Sequence, residues 1–120
     1  MFANTITLPL PSGNVVLTRI NQDGYSSEYS FRNATDGYSL KIRHTSVSPN
    51  ASRSESYDRH NVEFVHTKFA AAGVAQYDRK VYFVTEHKPG DGASDEADGL
   101  FDYAVATSDA FLKALEGWES

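Results

Sequence analysis

A chain of 120 residues, 40% apolar and 22% charged, has the size and composition of one globular domain rather than of a disordered segment. It holds no cysteine, which excludes disulfide staples, thiol nucleophiles and thiolate metal sites. The formal charge of −5 weighs against a nucleic-acid partner only until its distribution is read: residues 1–90 hold ten Lys/Arg against eight Asp/Glu, whereas residues 91–120 hold one against eight. A mildly basic body precedes an acidic tail segment, and if they lie on opposite sides one side can meet phosphate while the other meets water.

The start, "MFANTITLPLPSGN", has no basic stretch followed by an apolar one, so no signal peptide is expected. No apolar run approaches the roughly 20 residues of a membrane span. Turn signals recur at "PSGN" (11–14), "NQDG" (21–24), "NATDG" (33–37), "SPNAS" (48–52) and "AAAGVA" (70–75). The sequons at 33–35 and 50–52 read as turn residues. Between the turns lie runs rich in β-branched and aromatic residues, which predict strands near 4–9, 14–20, 25–32, 38–47, 56–69 and 76–87. Short connections make this an antiparallel meander.

Alternation within the strands sorts the side chains onto two faces. Tyr25, Tyr29 and Phe31 oppose Ser26, Glu28, Ser30 and Arg32. Leu40 and Ile42 oppose Ser39, Lys41, Arg43 and Thr45. Val62 and Phe64 oppose Arg59, Asn61 and Glu63. Val81 and Phe83 oppose Lys80, Tyr82 and Glu86, with Val84 breaking the pattern. The sheet thus has one apolar and one polar face.

After "HKPGDG" the period changes. Ala97, Leu100, Phe101, Ala104, Val105, Phe111, Leu112 and Leu115 follow the spacing of an amphipathic helix over 95–117. Asp95, Glu96 and Asp98 suit its N-terminus and Gly117 its end. "TSD" at 107–109 is able to cap a second helix, so one bent helix and two short ones are both open. The expected organisation is a single α+β domain, 1–120, with a hairpin at 1–22, a sheet at 25–87 and the helical segment at 95–117. About 20 helical residues are too few to cover the apolar face of such a sheet. The simplest remedy is a dimer in which each chain's helix covers the other's sheet.

No catalytic motif emerges. His60 and His66 share a strand face but stand about 20 Å apart at roughly 3.3 Å per residue, too far to share a metal. His44 is able to approach His60 across strands, but no ligand spacing supports a metal site. The acidic stretch 91–99 lacks the spacing and closing glutamate of a calcium loop, so no cofactor is expected, with a structural divalent cation at a subunit contact as the one alternative. There is no nucleophile elbow, Gly-rich phosphate loop or carboxylate pair in a defined cleft. The polar face is the strongest candidate. Lys41, Arg43 and Arg59 offer cations for phosphate; Ser39, Thr45 and Asn61 offer hydrogen bonds; Tyr82 offers a ring on which an unpaired base stacks. The competing readings are a solvated sheet face, an RNA-binding dimer that forms no shell, and a small dimeric α+β enzyme or ligand-binding protein with a pocket between sheet and helix that includes His44 and His60.

The element order, together with "RINQDGYSSEY" (19–29), "YDRHNVEF" (57–64) and the ending "GWES" (117–120), resembles the coat proteins of the small single-stranded RNA bacteriophages (the levivirus group), and among them the branch that infects Caulobacter. The resemblance implies a non-enzymatic structural protein: an interlocked homodimer with a joined sheet and helices over it. Ninety such dimers would form an icosahedral T=3 shell. It also implies a virion protein assembled in the bacterial cytoplasm, which packages single-stranded RNA and, in several members, represses translation through an RNA hairpin. Carried over by position, the RNA-facing residues are Ser39, Lys41, Arg43, Thr45, Arg59, Asn61 and Glu63, followed by Lys80 and Tyr82. Ala70, Ala71, Ala72, Gly73, Val74 and Ala75 match the loop at the shell's symmetry axes. Leu100, Phe101, Phe111, Leu112 and Leu115 are the expected dimer packing. Two positions depart from the family's adenine pocket: Lys41 stands where a hydroxyl is usual, and Asn61 where a lysine is usual.

Overall fold

The computed structural model describes residues 2–119. Six strands succeed one another: β1 (Thr5–Leu10), β2 (Gly13–Gln22), β3 (Ser26–Arg32), β4 (Asp36–Val47), β5 (Tyr57–Lys68) and β6 (Tyr77–His87). They form one sheet in sequence order, every neighbouring pair antiparallel. The expected meander is present, with strand ends moved by one or two residues.

The turns explain themselves chemically. Asp23 Oδ1 accepts from the amides of Tyr25 and Ser26 at 2.8 and 2.7 Å. Asn33 Oδ1 accepts from Thr35 and Asp36, and Asn50 Oδ1 from Ser52 and Arg53. Each short polar side chain stands in for a backbone acceptor and fixes a reversal. Both sequon asparagines are therefore turn formers.

Register places Leu40 opposite both Tyr29 and Phe64, and Ile42 opposite Val62. A bulge in β2 between Arg19 and Asn21 increases local twist. The sheet curls so that Ile6, Leu8 and Leu10 of the N-terminal hairpin pack with a core of Val15, Leu17, Tyr29, Leu40 and Ile42. Tyr29 is fully buried and its hydroxyl donates to the Ala3 carbonyl at 2.7 Å, which ties the chain start over this core. Leu17 is also fully buried. Leu17→Ala is expected to lose about 3 kcal/mol of stability, the usual cost of such a truncation, read as a lowered urea midpoint.

Asp36 clasps the far end of the β4–β5 pair. Its carboxylate accepts from Thr35 Oγ1, from His66 Nε2 at 2.7 Å and from Lys68 Nζ at 3.1 Å. These partners, Thr35 foremost, hold its pKa well below the usual carboxylate range. The fold favours the charged form, so this stabilisation is complete above the ordinary aspartate value of 3.8 and is lost as pH falls below it. Asp36→Asn is expected to flatten the acid limb of a melting-temperature profile below about pH 4.

The helical segment α1 (Ser94–Glu116) is broken. Ala106 is extended and Thr107, Ser108 and Asp109 take left-handed φ values of 55°, 55° and 64°. Two short helices meet at a corner that falls on "TSD". Asp95 and Glu96 occupy the first turn, as their charge favours. No residue of α1 is buried. The segment meets the sheet at β6, where the Phe83 and Phe101 rings stand 4.9 Å apart, edge to face.

The hollow at this junction, about 230 Å³, is lined by Phe83, Val84, Thr85, Glu86, Ala93, Glu96, Ala97, Leu100 and Phe101. It corrects the enzyme-like expectation of a sheet–helix pocket that includes His44 and His60. Those histidines border a different hollow with Tyr25, Thr45, Ser46 and Asp58, to which α1 contributes no lining residue.

The single chain is consequently extended. Its radius of gyration is 17.1 Å, against about 13.6 Å for a compact chain of this length. Its accessible surface is 8845 Å², against ~6,400 Å² for a folded monomer of this mass.

Candidate nucleic-acid interface

The polar face is built by register. Lys41 lies between Glu28 of β3 and Glu63 of β5; Arg43 lies between Ser26 and Asn61; Thr45 faces Arg59. On the other side of β5, Glu63 faces Tyr82, Asn61 faces Val84 and Arg59 faces Glu86. Ser39 faces Val65, which faces Lys80. All nine sequence-nominated residues therefore lie on one face across three strands. Val84, which broke the alternation, is an apolar member of this polar face.

Their charges are not equally free. Arg59 binds Glu86 through Nε and Nη2 at 3.1 and 3.0 Å, and Arg53 from the 48–56 loop reaches the same carboxylate at 3.4 Å. Arg59, aided by Arg53, holds the Glu86 carboxyl below its ordinary value. Lys80 stands 4.0 Å from Glu63, a weak exposed pair. Among the described residues, Lys41 and Arg43 make no ion pair within 4 Å. They line a shallow hollow of about 160 Å³ with Asn21, Ser26, Ser27 and Glu28. Two cations without an ion pair, beside hydroxyl and amide groups and the single Glu28 carboxylate, leave this patch net positive and anion-seeking. Tyr82 is 64% exposed, so its ring is available for stacking. Glu63, the one carboxylate among the nominated residues, has Lys41 as its register partner and Lys80 nearby, which reduces its repulsion of phosphate.

The 70–75 loop closes as a two-residue turn. Ala71 and Val74 exchange backbone hydrogen bonds at 3.1 and 2.8 Å, and Ala72 and Gly73 take φ of 46° and 83°. The residues of this loop are exposed.

On the opposite face the histidines form a chain that was only half legible in the sequence. His44 Nδ1 lies 2.8 Å from His60 Nδ1, and His60 Nε2 lies 2.8 Å from His87 Nε2. His87 was missed because strand register, not sequence spacing, brings it alongside His60. Among the described residues, no group of three or more His, Cys, Asp or Glu side chains is arranged to hold a metal.

The fold is that of a phage coat protein. The bacteriophage EMS014 coat protein superposes with a TM-score of 0.60 at 16% identity, covering 88% of this chain and 73% of that one. Among curated proteins, no sequence matches the chain. The family model described as "Phage phiCb5, coat protein" matches residues 3–88, the whole sheet and its turns, and the chain belongs to that family. It is therefore a structural, non-enzymatic capsid protein of a bacteriophage virion.

Proposed function

We propose that the protein forms an interlocked homodimer, that such dimers close into an icosahedral T=3 shell in the bacterial cytoplasm, and that the polar sheet face packages single-stranded RNA. The surface excess carries the dimer: about 2,400 Å² beyond the folded-monomer expectation is the scale of an obligate interface. The uncovered surface includes large apolar side chains. Val81 and Phe83 on β6 and Leu100, Phe101, Leu112 and Leu115 on α1 are 38–67% exposed in one chain. Phe111 is already half-covered by Tyr103, their rings 5.1 Å apart. The outer edge of β6 is unpaired, so a second β6 extends the sheet while each α1 crosses the other chain's apolar face.

Lys41 and Arg43, with Asn21 and Ser26 beside them, are the principal phosphate contacts of this reading. Ser39, Thr45 and Asn61 flank them with hydrogen-bonding groups. Arg59 and Lys80 are secondary, because carboxylates already engage them. Bulk packaging needs charge, which this face supplies; hairpin repression, the finer reading, would have to work through Lys41 and Asn61 in place of the family's usual pocket residues. The compact small-residue turn at 70–75 suits a symmetry axis, where subunits crowd in more than one environment. Sedimentation of dissociated shells tests the packing: dimers are expected, and folded monomers would overturn it.

A further inference from the structure

We propose that His44, His60 and His87 form a proton-counting clamp across β4, β5 and β6: it accommodates one added proton and breaks on the second, which loosens the sheet in mild acid. The geometry fixes the count. His87 Nδ1 lies 2.8 Å from the Lys88 carbonyl, which only accepts, so that nitrogen carries a proton. With all three rings neutral, His87 Nε2 must then accept from His60 Nε2–H, and His60 Nδ1 must accept from His44 Nδ1–H. Only the outer nitrogen, His44 Nε2, is left bare, so a fourth proton enters there or shuttles inward with every link kept. A fifth has no free nitrogen. It puts two N–H groups face to face across a 2.8 Å gap, and a link opens.

The surroundings bear on the same count. Asp58, the register partner of His87, faces the chain from β5 and favours the first proton; Tyr25 borders His44 and His60 from the β2–β3 turn. From the 48–56 loop, Glu55 pairs with Lys88 at 3.8 Å, whereas Arg53 is occupied with Glu86 on the other face. From α1, Glu96 lines the same hollow as Thr85, the residue paired with His60. Burial, then the neighbouring His44 and His87, lower the pKa of His60 below its ordinary 6.5. A depressed value means that the unfolded chain binds more protons below about pH 6.5, so the stability is complete above that pH and falls as pH drops through it. With three protons bound unfolded and one folded, the unfolding constant rises up to about a hundredfold per pH unit near pH 5. The clamp needs only the single chain. Its consequence for shells, opening near pH 5, rests on the dimer proposed above, in which this face lies under the helices.

Nitrogen-15 NMR of the histidine rings in the folded protein tests the clamp without reference to shells. At pH 7.5 the expected tautomers are Nδ1–H for His44 and His87 and Nε2–H for His60, with one proton taken up by the trio before a second enters with loss of structure. Three independent titrations near 6.5, or His44 in the Nε2–H form, would overturn it. Melting curves between pH 7 and 5 give the second arm. Wild type is expected to lose stability steeply, whereas His60→Phe, which keeps a ring but removes both links, is expected to lose markedly less; equal slopes would also overturn it. If the NMR result holds while shells stay closed at pH 5, the clamp stands and its coupling to the dimer fails.

Discussion

Leu112→Asp combined with Leu115→Asp is expected to abolish both dimers and particles. Both leucines stay partly uncovered in the single chain, 39% and 51% exposed, on a helical segment with no buried residue. In the proposed dimer a second chain covers the part of each that is left exposed. Covering the exposed remainder of each leucine contributes about 1 kcal/mol, and each aspartate in its place adds a desolvation penalty of several kcal/mol. With two copies per dimer the loss exceeds the whole free energy of a typical micromolar association, about 8 kcal/mol. Size-exclusion chromatography with light scattering is expected to show monomer or aggregate and no shells. Soluble dimers from the double variant would refute the interlocked packing. Because the substitutions lie beyond the sheet, circular dichroism should still report β-structure.

Lys41→Ala with Arg43→Ala is expected to cut packaged RNA several-fold while leaving the dimer folded. Both are cations without an ion pair among the described residues, so their removal breaks no pair. Exposed or half-covered polar substitutions of this kind shift stability by about 0.5 kcal/mol. The loss to RNA is larger because the contacts repeat. Each cation at a single-strand phosphate contributes about 0.7 to the salt slope, and a dimer loses four. The 260/280 nm ratio of purified particles reads the result. Arg59→Ala should reduce RNA less, since Glu86 already neutralises that guanidinium. Unfolding of the Lys41/Arg43 variant, or an unchanged ratio, would contradict the assignment of this face.

Much of this was legible in the sequence because a β-meander is a local code. Alternation at Leu40/Ile42 and Val62/Phe64 against Lys41/Arg43 and Arg59/Asn61 predicts two faces, and the register confirms the pairs that share them. Val84 looked like an error in the pattern, but it is an apolar residue on the polar face, which alternation alone cannot distinguish from a register slip. Which cations are free was not legible: the engagement of Arg59 depends on Glu86, 27 residues away, and on a loop that folds back to add Arg53. Nor was the path of the helical segment. Its spacing shows an apolar stripe, but the corner at Ala106–Asp109 is a backbone event with no periodic signature. That corner and the open edge of β6 are why one chain leaves its apolar surface uncovered.

Negative-stain electron microscopy of the recombinant protein, with nuclease-protected RNA measured on the same fraction, tests the central claim most directly. Closed isometric shells that carry protected RNA are the expected result; a stable monomer with a protein-like 260/280 nm ratio would contradict the account.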